Sequence, residues 1–423
     1  MYFWYKFLTY LFLPFSNIYL LFRKLKKKEH DTRYREKLSL INTPRNDGFL
    51  VWCHVASVGE AMSILPLIEN FEKEKKIDKI LITSITLSSG KILEKKYKNN
   101  KKIIHQFLPL DIPKFTNKFL NHWSPNLSIF IESEVWPNLI YDIKKKNIPL
   151  LLVNGRITKK TFSRWQIFKK FAKDIFGKFD LCIASNAETE NFLKNLGAKN
   201  IKNLGNLKFA KTELKSNNKL NPEISEKIKS RKIWVAASTH SSEEKICAET
   251  HLQIKKTFNN VLTIIIPRHI DRVKKITEEL VKLNLKIATY SNSDKLNDET
   301  DIFLIDVYGE TLKFYNIAKC IFLGKSLVKS LIANSGQNPI EASRFGCTVY
   351  HGPNVNNFAE IYEYLKSLNV TKKINGVLEL SQAVTEELKS DKAYNYQTLK
   401  KIEDYGLNTL NNILSEIKIY INK

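Results

Sequence analysis

Three acidic side chains stand where short apolar runs give way to small residues or proline. Glu60 closes HVASVGE (54–60), and Glu132 and Glu134 lie in IESEVWPNLI (131–140). A carboxylate at the end of a buried strand can take a proton from a hydroxyl. Ser57 and Glu60 equally fit the S-x-x-E capping box, in which each side chain bonds the other's backbone N–H. Spacing alone leaves Glu60 open between cap and base. Glu132 and Glu134, two residues apart and on the same expected sheet edge as Glu60, call for basic side chains or ligand hydroxyls as partners.

A second set of residues suits an anion. In AASTHSSEE (236–244) the hydroxyls of Ser238 and Thr239, with His240 and the first free amides of a helix, can hold one; the same pattern is an ordinary helix cap. PRH (267–269) puts Arg268 and His269 at the carboxyl end of the apolar run VLTIIIP, the edge at which open α/β sheets bind ligands. In NSGQNPIEASRFG (334–346) the turn at Ser335 and Gly336 offers amides to a phosphate. Pro339 opens a helix there, and Glu341 one turn in suits ribose hydroxyls. FLGKS (322–326) has the look of a phosphate-binding loop, but that motif needs glycine where Lys319 stands.

These residues need a frame, and the chain supplies one. FLVWCHV (49–55), ILITSIT (80–86), LSIFIES (127–133), LLLVN (150–154) and LCIAS (181–185) alternate with amphipathic helical stretches, the last closed by Gly197. After a polar, lysine-rich stretch the alternation restarts with IWVAAST (233–239), VLTIIIPRH, KIATYS (286–291), IFLID (302–306), CIFLGKS (320–326) and CTVYHG (347–352). The expected class is α/β, with two Rossmann-like doubly wound domains facing a cleft and parallel sheets covered on both faces. The expected division is a basic-flanked apolar segment over 1–28, a first domain over 29–205, a linker over 206–225 and a second domain over 226–423 with a terminal helix, which can also pack back on the first half.

Composition narrows the function. The 423 residues are 43% hydrophobic and 26% charged, enough for substantial cores, and the formal charge of +25 comes mostly from lysine. Surface-like lysine runs make it a weak indicator of nucleic acid. The five cysteines, at 53, 182, 247, 320 and 347, form no C-x-x-C pair and point to a reduced compartment rather than a disulfide framework. No metal site is assigned. Residues 2–22 are almost wholly apolar and are followed by RKLKKK (23–28). This predicts a membrane-associated segment, spanning or lying in the interface, with the rest of the chain on the cytoplasmic side.

Taken together, RYREKL (33–38), WCHVASVGE (52–60), ESEVWPNL (132–139), NGRIT (154–158), GNLKF (205–209), ASTHSSEE (237–244), PRHIDR (267–272) and GQNPIEA (336–342) resemble the 3-deoxy-D-manno-octulosonic acid (Kdo) transferases of Gram-negative bacteria. The resemblance runs almost the whole chain and implies a GT-B fold with an N-terminal membrane-anchoring helix. It implies inverting transfer of Kdo from CMP-Kdo to a lipid A precursor (lipid IVA) at the inner-membrane surface, in lipopolysaccharide biosynthesis. Glu60 then looks like the general base. Ser238, Thr239, His240, Arg268, His269, Ser335, Gly336, Asn338 and Glu341 look like the nucleotide side, and Ser57, Glu132, Glu134, Arg156 and Lys208 the acceptor or sugar side. Neither metal nor cofactor is implied, and no nucleic-acid partner. Ser335, Gln337 and Lys325 depart from the family pattern, which usually has glycine, histidine and glycine there. The alternatives are a GT-B enzyme with a different nucleotide sugar, and a non-enzymatic basic protein binding nucleic acid or membrane lipid.

Overall fold

A computed structural model describes residues 1–40, 43–45, 47–210, 219–328, 335–390 and 396–422. The chain divides into two compact units, Met1–Thr212 with Glu403–Lys423, and Glu213–Ile402. Asn334 and the middle of the expected linker lie outside the described residues.

The first unit holds a parallel sheet of β1 (Leu50–His54), β2 (Lys79–Ser84), β3 (Ile103–Phe107), β4 (Leu127–Ile131), β5 (Leu150–Gly155), β6 (Leu181–Ala184) and β7 (Ile201–Asn203). Its order is β3-β2-β1-β4-β5-β6-β7. Alternation sends Val51 and Cys53 into one core and Leu50 and Trp52 into the other, so both faces of β1 are buried. β3 is an edge strand, and the RYREKL turn (Arg33–Leu38) closes part of it: the Phe107 N–H donates to Glu36 Oε2 at 2.8 Å. The order reverses direction between β1 and β4, the switch point where doubly wound sheets open a crevice at their carboxyl ends.

The second unit repeats the plan with β8 (Lys232–Thr239), β9 (Val261–Pro267), β10 (Ile287–Thr289), β11 (Ile302–Leu304), β12 (Cys320–Leu323), β13 (Thr348–His351) and β14 (Thr371–Lys373). The order is β10-β11-β9-β8-β12-β13-β14, with its switch point between β8 and β12.

Three expectations are corrected. Residues 2–22 do not form one spanning helix. Pro14 sits in a 3-10 turn (Leu13–Phe15) between the helices Tyr2–Leu11 and Ser16–Leu25, because its ring cannot continue the first helix. Among the described residues no helix is long and apolar enough to cross a membrane. The terminal helix Tyr396–Asn422 was expected with the second domain, but Leu410, Ile413, Leu414, Ile417 and Ile421 pack into the first unit's core. The expected linker likewise begins inside that unit, where Leu207, Phe209 and Ala210 are buried.

Candidate active site

The first crevice is built on the ends of β1, β4 and β5. Ser57 caps the helix Val58–Ser63, its hydroxyl accepting the Glu60 N–H at 3.3 Å. The Glu60 carboxylate returns the bond, accepting from the Ala56 N–H at 2.7 Å and the Ser57 hydroxyl at 2.9 Å. Glu60 is therefore a cap, in a variant of the capping box that reaches one residue further back. It is also buried, and burial, with the charges of Glu132 and Glu134, pushes its pKa up to about 7 against the pull of those two hydrogen bonds. A carboxylate half-protonated at neutrality is poised to exchange a proton.

The other acidic residues have partners on the same edge. Glu132 pairs with Lys208 Nζ at 2.5 Å. Glu134 Oε2 accepts from the Trp136 indole at 2.9 Å and lies 3.4 Å from Nε2 of the fully buried His54. Arg156 joins through its backbone, its N–H donating to the Glu132 carbonyl at 3.3 Å. Ser57, Glu60, Glu132, Glu134, Arg156 and Lys208 are thus brought together from segments spread over some 150 positions of sequence.

The second crevice is at the ends of β8, β9 and β12. The Arg268 N–H donates to the Thr239 carbonyl at 3.0 Å, and the rings of His240 and His269 meet edge-on with centroids 5.7 Å apart. Arg268 and His269 are exposed, Thr239 is buried with an unpartnered Oγ1, and Ser238 turns the chain between them. The His240 Nδ1–H donates to the Ser238 carbonyl at 3.1 Å, and burial lowers the pKa of this histidine.

Glu243, an acid in the first turn of the helix Glu243–Lys255, organises this crevice. It is completely buried, and its carboxylate accepts from the backbone N–H groups of His240 (2.9 Å), Lys325 (2.7 Å), Ser326 (2.9 Å) and Leu327 (3.0 Å). The amides of the FLGKS turn, a phosphate cradle in outline, are thus closed on a protein carboxylate. Gly324 permits the approach: a Cβ there would lie 2.6 Å from the Ser238 carbonyl oxygen.

The Gly336 N–H donates to the Lys325 carbonyl at 2.7 Å, which ties the Ser335–Gly336 turn to the same cluster. Ser335 is fully buried and accepts the Asn356 N–H on its hydroxyl, so it pins a neighbouring loop. Asn338 Oδ1 accepts the Ile340 N–H at 3.1 Å at the start of the short helix Ile340–Arg344, and Glu341 stands in its first turn.

Four non-glycine residues in the left-handed region mark both crevices: Glu132 (φ 57°), Asn154 (φ 54°), Ser238 (φ 55°) and Lys325 (φ 59°). Each lies at or just past the carboxyl end of a strand. Strain of about 1 kcal/mol per residue persists where surrounding contacts over-determine it, a habit of functional sites. Asn154 shows such a contact, its Oδ1 accepting the Leu207 N–H at 2.8 Å.

Each unit thus carries a crevice at the carboxyl ends of a doubly wound parallel sheet, the first around a buried carboxylate and the second edged with basic side chains. Comparison with known proteins identifies the family. A family profile described as "3-Deoxy-D-manno-octulosonic-acid transferase (kdotransferase)" matches residues 32–211. A 3-deoxy-D-manno-octulosonic acid transferase of Rickettsia bellii is 35% identical over 357 residues, 84% of this chain and 84% of the relative. One from Haemophilus influenzae is 28% identical over 373 residues, 85% of each. Among solved structures, the UDP-GlcNAc 2-epimerase of Neisseria meningitidis shares the fold, with TM-score 0.59 and 13% identity over 88% of this chain and 100% of that one. The chain belongs to the 3-deoxy-D-manno-octulosonic acid transferase family and is a glycosyltransferase.

Proposed function

We propose that this enzyme transfers Kdo, with inversion, from CMP-Kdo to a sugar hydroxyl of a lipid A precursor (lipid IVA), with Glu60 as general base. The observation that carries the reading is Glu60 itself: a buried carboxylate, pKa about 7, beside two further carboxylates at a switch point. The acceptor oxygen attacks the anomeric carbon of Kdo as the bond from that carbon to the phosphate oxygen breaks. CMP departs with the bonding electrons, and the acceptor proton passes to Glu60.

Arg268 and His269 take the charge growing on CMP, with Glu341 on the ribose and the turns at Ser238, Thr239 and His240 and at Ser335, Gly336 and Asn338 shaping the site. These are cations and N–H donors, so the leaving phosphate is stabilised without a divalent metal. Glu132, Glu134, Arg156 and Lys208 hold the sugar side.

The N-terminal helices suit the interface of the inner membrane rather than a span, with the catalytic units on the cytoplasmic side. One stripe of the first helix is fastened to the protein. The Tyr5 hydroxyl donates to Asp111 at 2.9 Å, Asn138 Nδ2 donates to Thr9 Oγ1 at 2.8 Å, and Tyr2 stacks on Tyr141. Phe3, Trp4, Phe7, Leu8 and Leu11 are exposed, and the basic run 23–28 follows. An apolar face beside lysines is the pattern of a helix lying on anionic lipid.

Titration calorimetry with CMP, UDP and ADP tests the donor. CMP is expected to bind tightest and to weaken at least tenfold in Arg268→Ala. Tighter binding of UDP would move the enzyme to another nucleotide sugar.

A further inference from the structure

We propose that His54 is a positioning residue for Glu134, its ring fixed by Thr83 as the Nε2–H tautomer so that the Nε2 proton addresses the Glu134 carboxylate. The inference rests on Glu134 lining the sugar side of the site, as proposed above.

Trp52 and His54 are two residues apart in β1, so their side chains share one face of the sheet. In register, His54 sits opposite Thr83 of β2. Thr83 Oγ1 lies 2.9 Å from Trp52 Nε1 and 2.9 Å from His54 Nδ1. An indole N–H only donates, so Thr83 accepts from Trp52. Among the described residues Thr83 Oγ1 has no other hydrogen-bond partner, so its one proton has His54 Nδ1 as its acceptor. A neutral ring with Nδ1 accepting carries its proton on Nε2. That nitrogen has no hydrogen-bond partner at ordinary geometry, and the nearest carboxylate oxygen is Glu134 Oε2 at 3.4 Å. A movement of a few tenths of an ångström completes the bond.

The surroundings fix the ring in place. His54 is fully buried, with Phe130 edge-on at 5.4 Å between centroids and Trp136 at 6.5 Å. Trp136 supplies the other donor to Glu134 Oε2, at 2.9 Å. Two ring N–H groups thus converge on one oxygen and leave Oε1 to what enters the crevice. The chain Trp52 to Thr83 to His54 to Glu134 transmits the order of the sheet to a side chain on a strained turn. This accounts for a polar ring at a position where the rest of β1 is apolar.

The test combines a spectroscopic and a kinetic readout on the full chain. Nitrogen-15 NMR of the histidine rings, with His54 assigned by its absence in His54→Gln, is expected to show a protonated Nε2 and a bare Nδ1. Glu134→Gln should shift the Nε2 resonance. A proton on Nδ1, or no response to Glu134→Gln, overturns the proposal. In Kdo transfer, His54→Leu is expected to lower kcat roughly 10- to 100-fold with the donor KM within about twofold, the size of effect expected from a misplaced site group. His54→Gln keeps a donor near Nε2 and should recover most of that loss. Equal loss in both folded variants, or no loss in His54→Leu, also overturns it. If His54→Leu does not fold, the ring spectrum and His54→Gln decide. If wild type transfers no Kdo, the proposed function falls, while the response of the ring to Glu134→Gln still decides whether His54 positions Glu134.

Discussion

The carboxylate of Glu60 accepts two hydrogen bonds that favour its charge, yet burial and the neighbouring carboxylates leave its pKa at about 7. A base must be ionised, so kcat/KM should fall about tenfold per pH unit below pH 7, and a flat profile from pH 5 to 8 would contradict this. Lys208 partly neutralises Glu132. Removing it in Lys208→Ala exposes Glu60 to the full charge of Glu132, and the acid limb should move to higher pH. The same shift bears on stability. The folded pKa lies above the ordinary carboxylate value of 4.5, so folding favours the protonated form. That contribution is fully present below the unfolded pKa and is lost as pH rises through about 7, an effect on the order of 1–3 kcal/mol. Glu60→Gln should accordingly melt at or above the wild-type temperature at pH 8. A clear fall would make Glu60 chiefly a cap.

At the scale of elements, the second crevice depends on one buried anchor. Glu243 holds four backbone N–H groups from two segments, and Glu243→Ala leaves those donors buried without a partner. Denaturant unfolding should show a loss of about 2–4 kcal/mol; a loss under 1 kcal/mol would mean that the turn has other support. Sequence reading reached the strands that carry the site because each is a short apolar run between turn residues. It did not reach β3, β7 and β14. IIHQF is a half-polar edge strand behind a lysine run, while IKN and TKK are three-residue edges with no apolar pattern. Glu243 was equally hidden, since an acid in a first helical turn looks the same whether it complements its own helix or ties down a distant loop. Lys325 shows the reverse. Its φ of 59° lies in the left-handed region that favours glycine, which the sequence alone did not show.

For the whole molecule, the N-terminal segment joins fold to surroundings. Its apolar composition was plain in the sequence. Its form was not, because the stripe Tyr2, Tyr5, Thr9 acts through contacts with side chains more than 100 positions away. The interfacial reading predicts that wild type sediments with vesicles containing anionic lipid, less so at high salt. Phe7→Asp with Leu11→Asp, both exposed, should abolish sedimentation and leave the melting temperature unchanged. Equal sedimentation of the variant would place the lipid contact elsewhere. The terminal helix returns to the first unit's core from Glu403 onward, the alternative to the linear division that the sequence left open.

The central claim is that this chain moves Kdo with Glu60 as its base. The most direct test is transfer of labelled Kdo, from CMP-Kdo made in situ, to a tetraacylated lipid A precursor. Wild type and Glu60→Gln are assayed side by side at pH 8, with melting curves for both. Transfer by wild type is expected, with a loss of at least 1,000-fold in a Glu60→Gln enzyme that melts no lower. Turnover by Glu60→Gln within tenfold of wild type would contradict it.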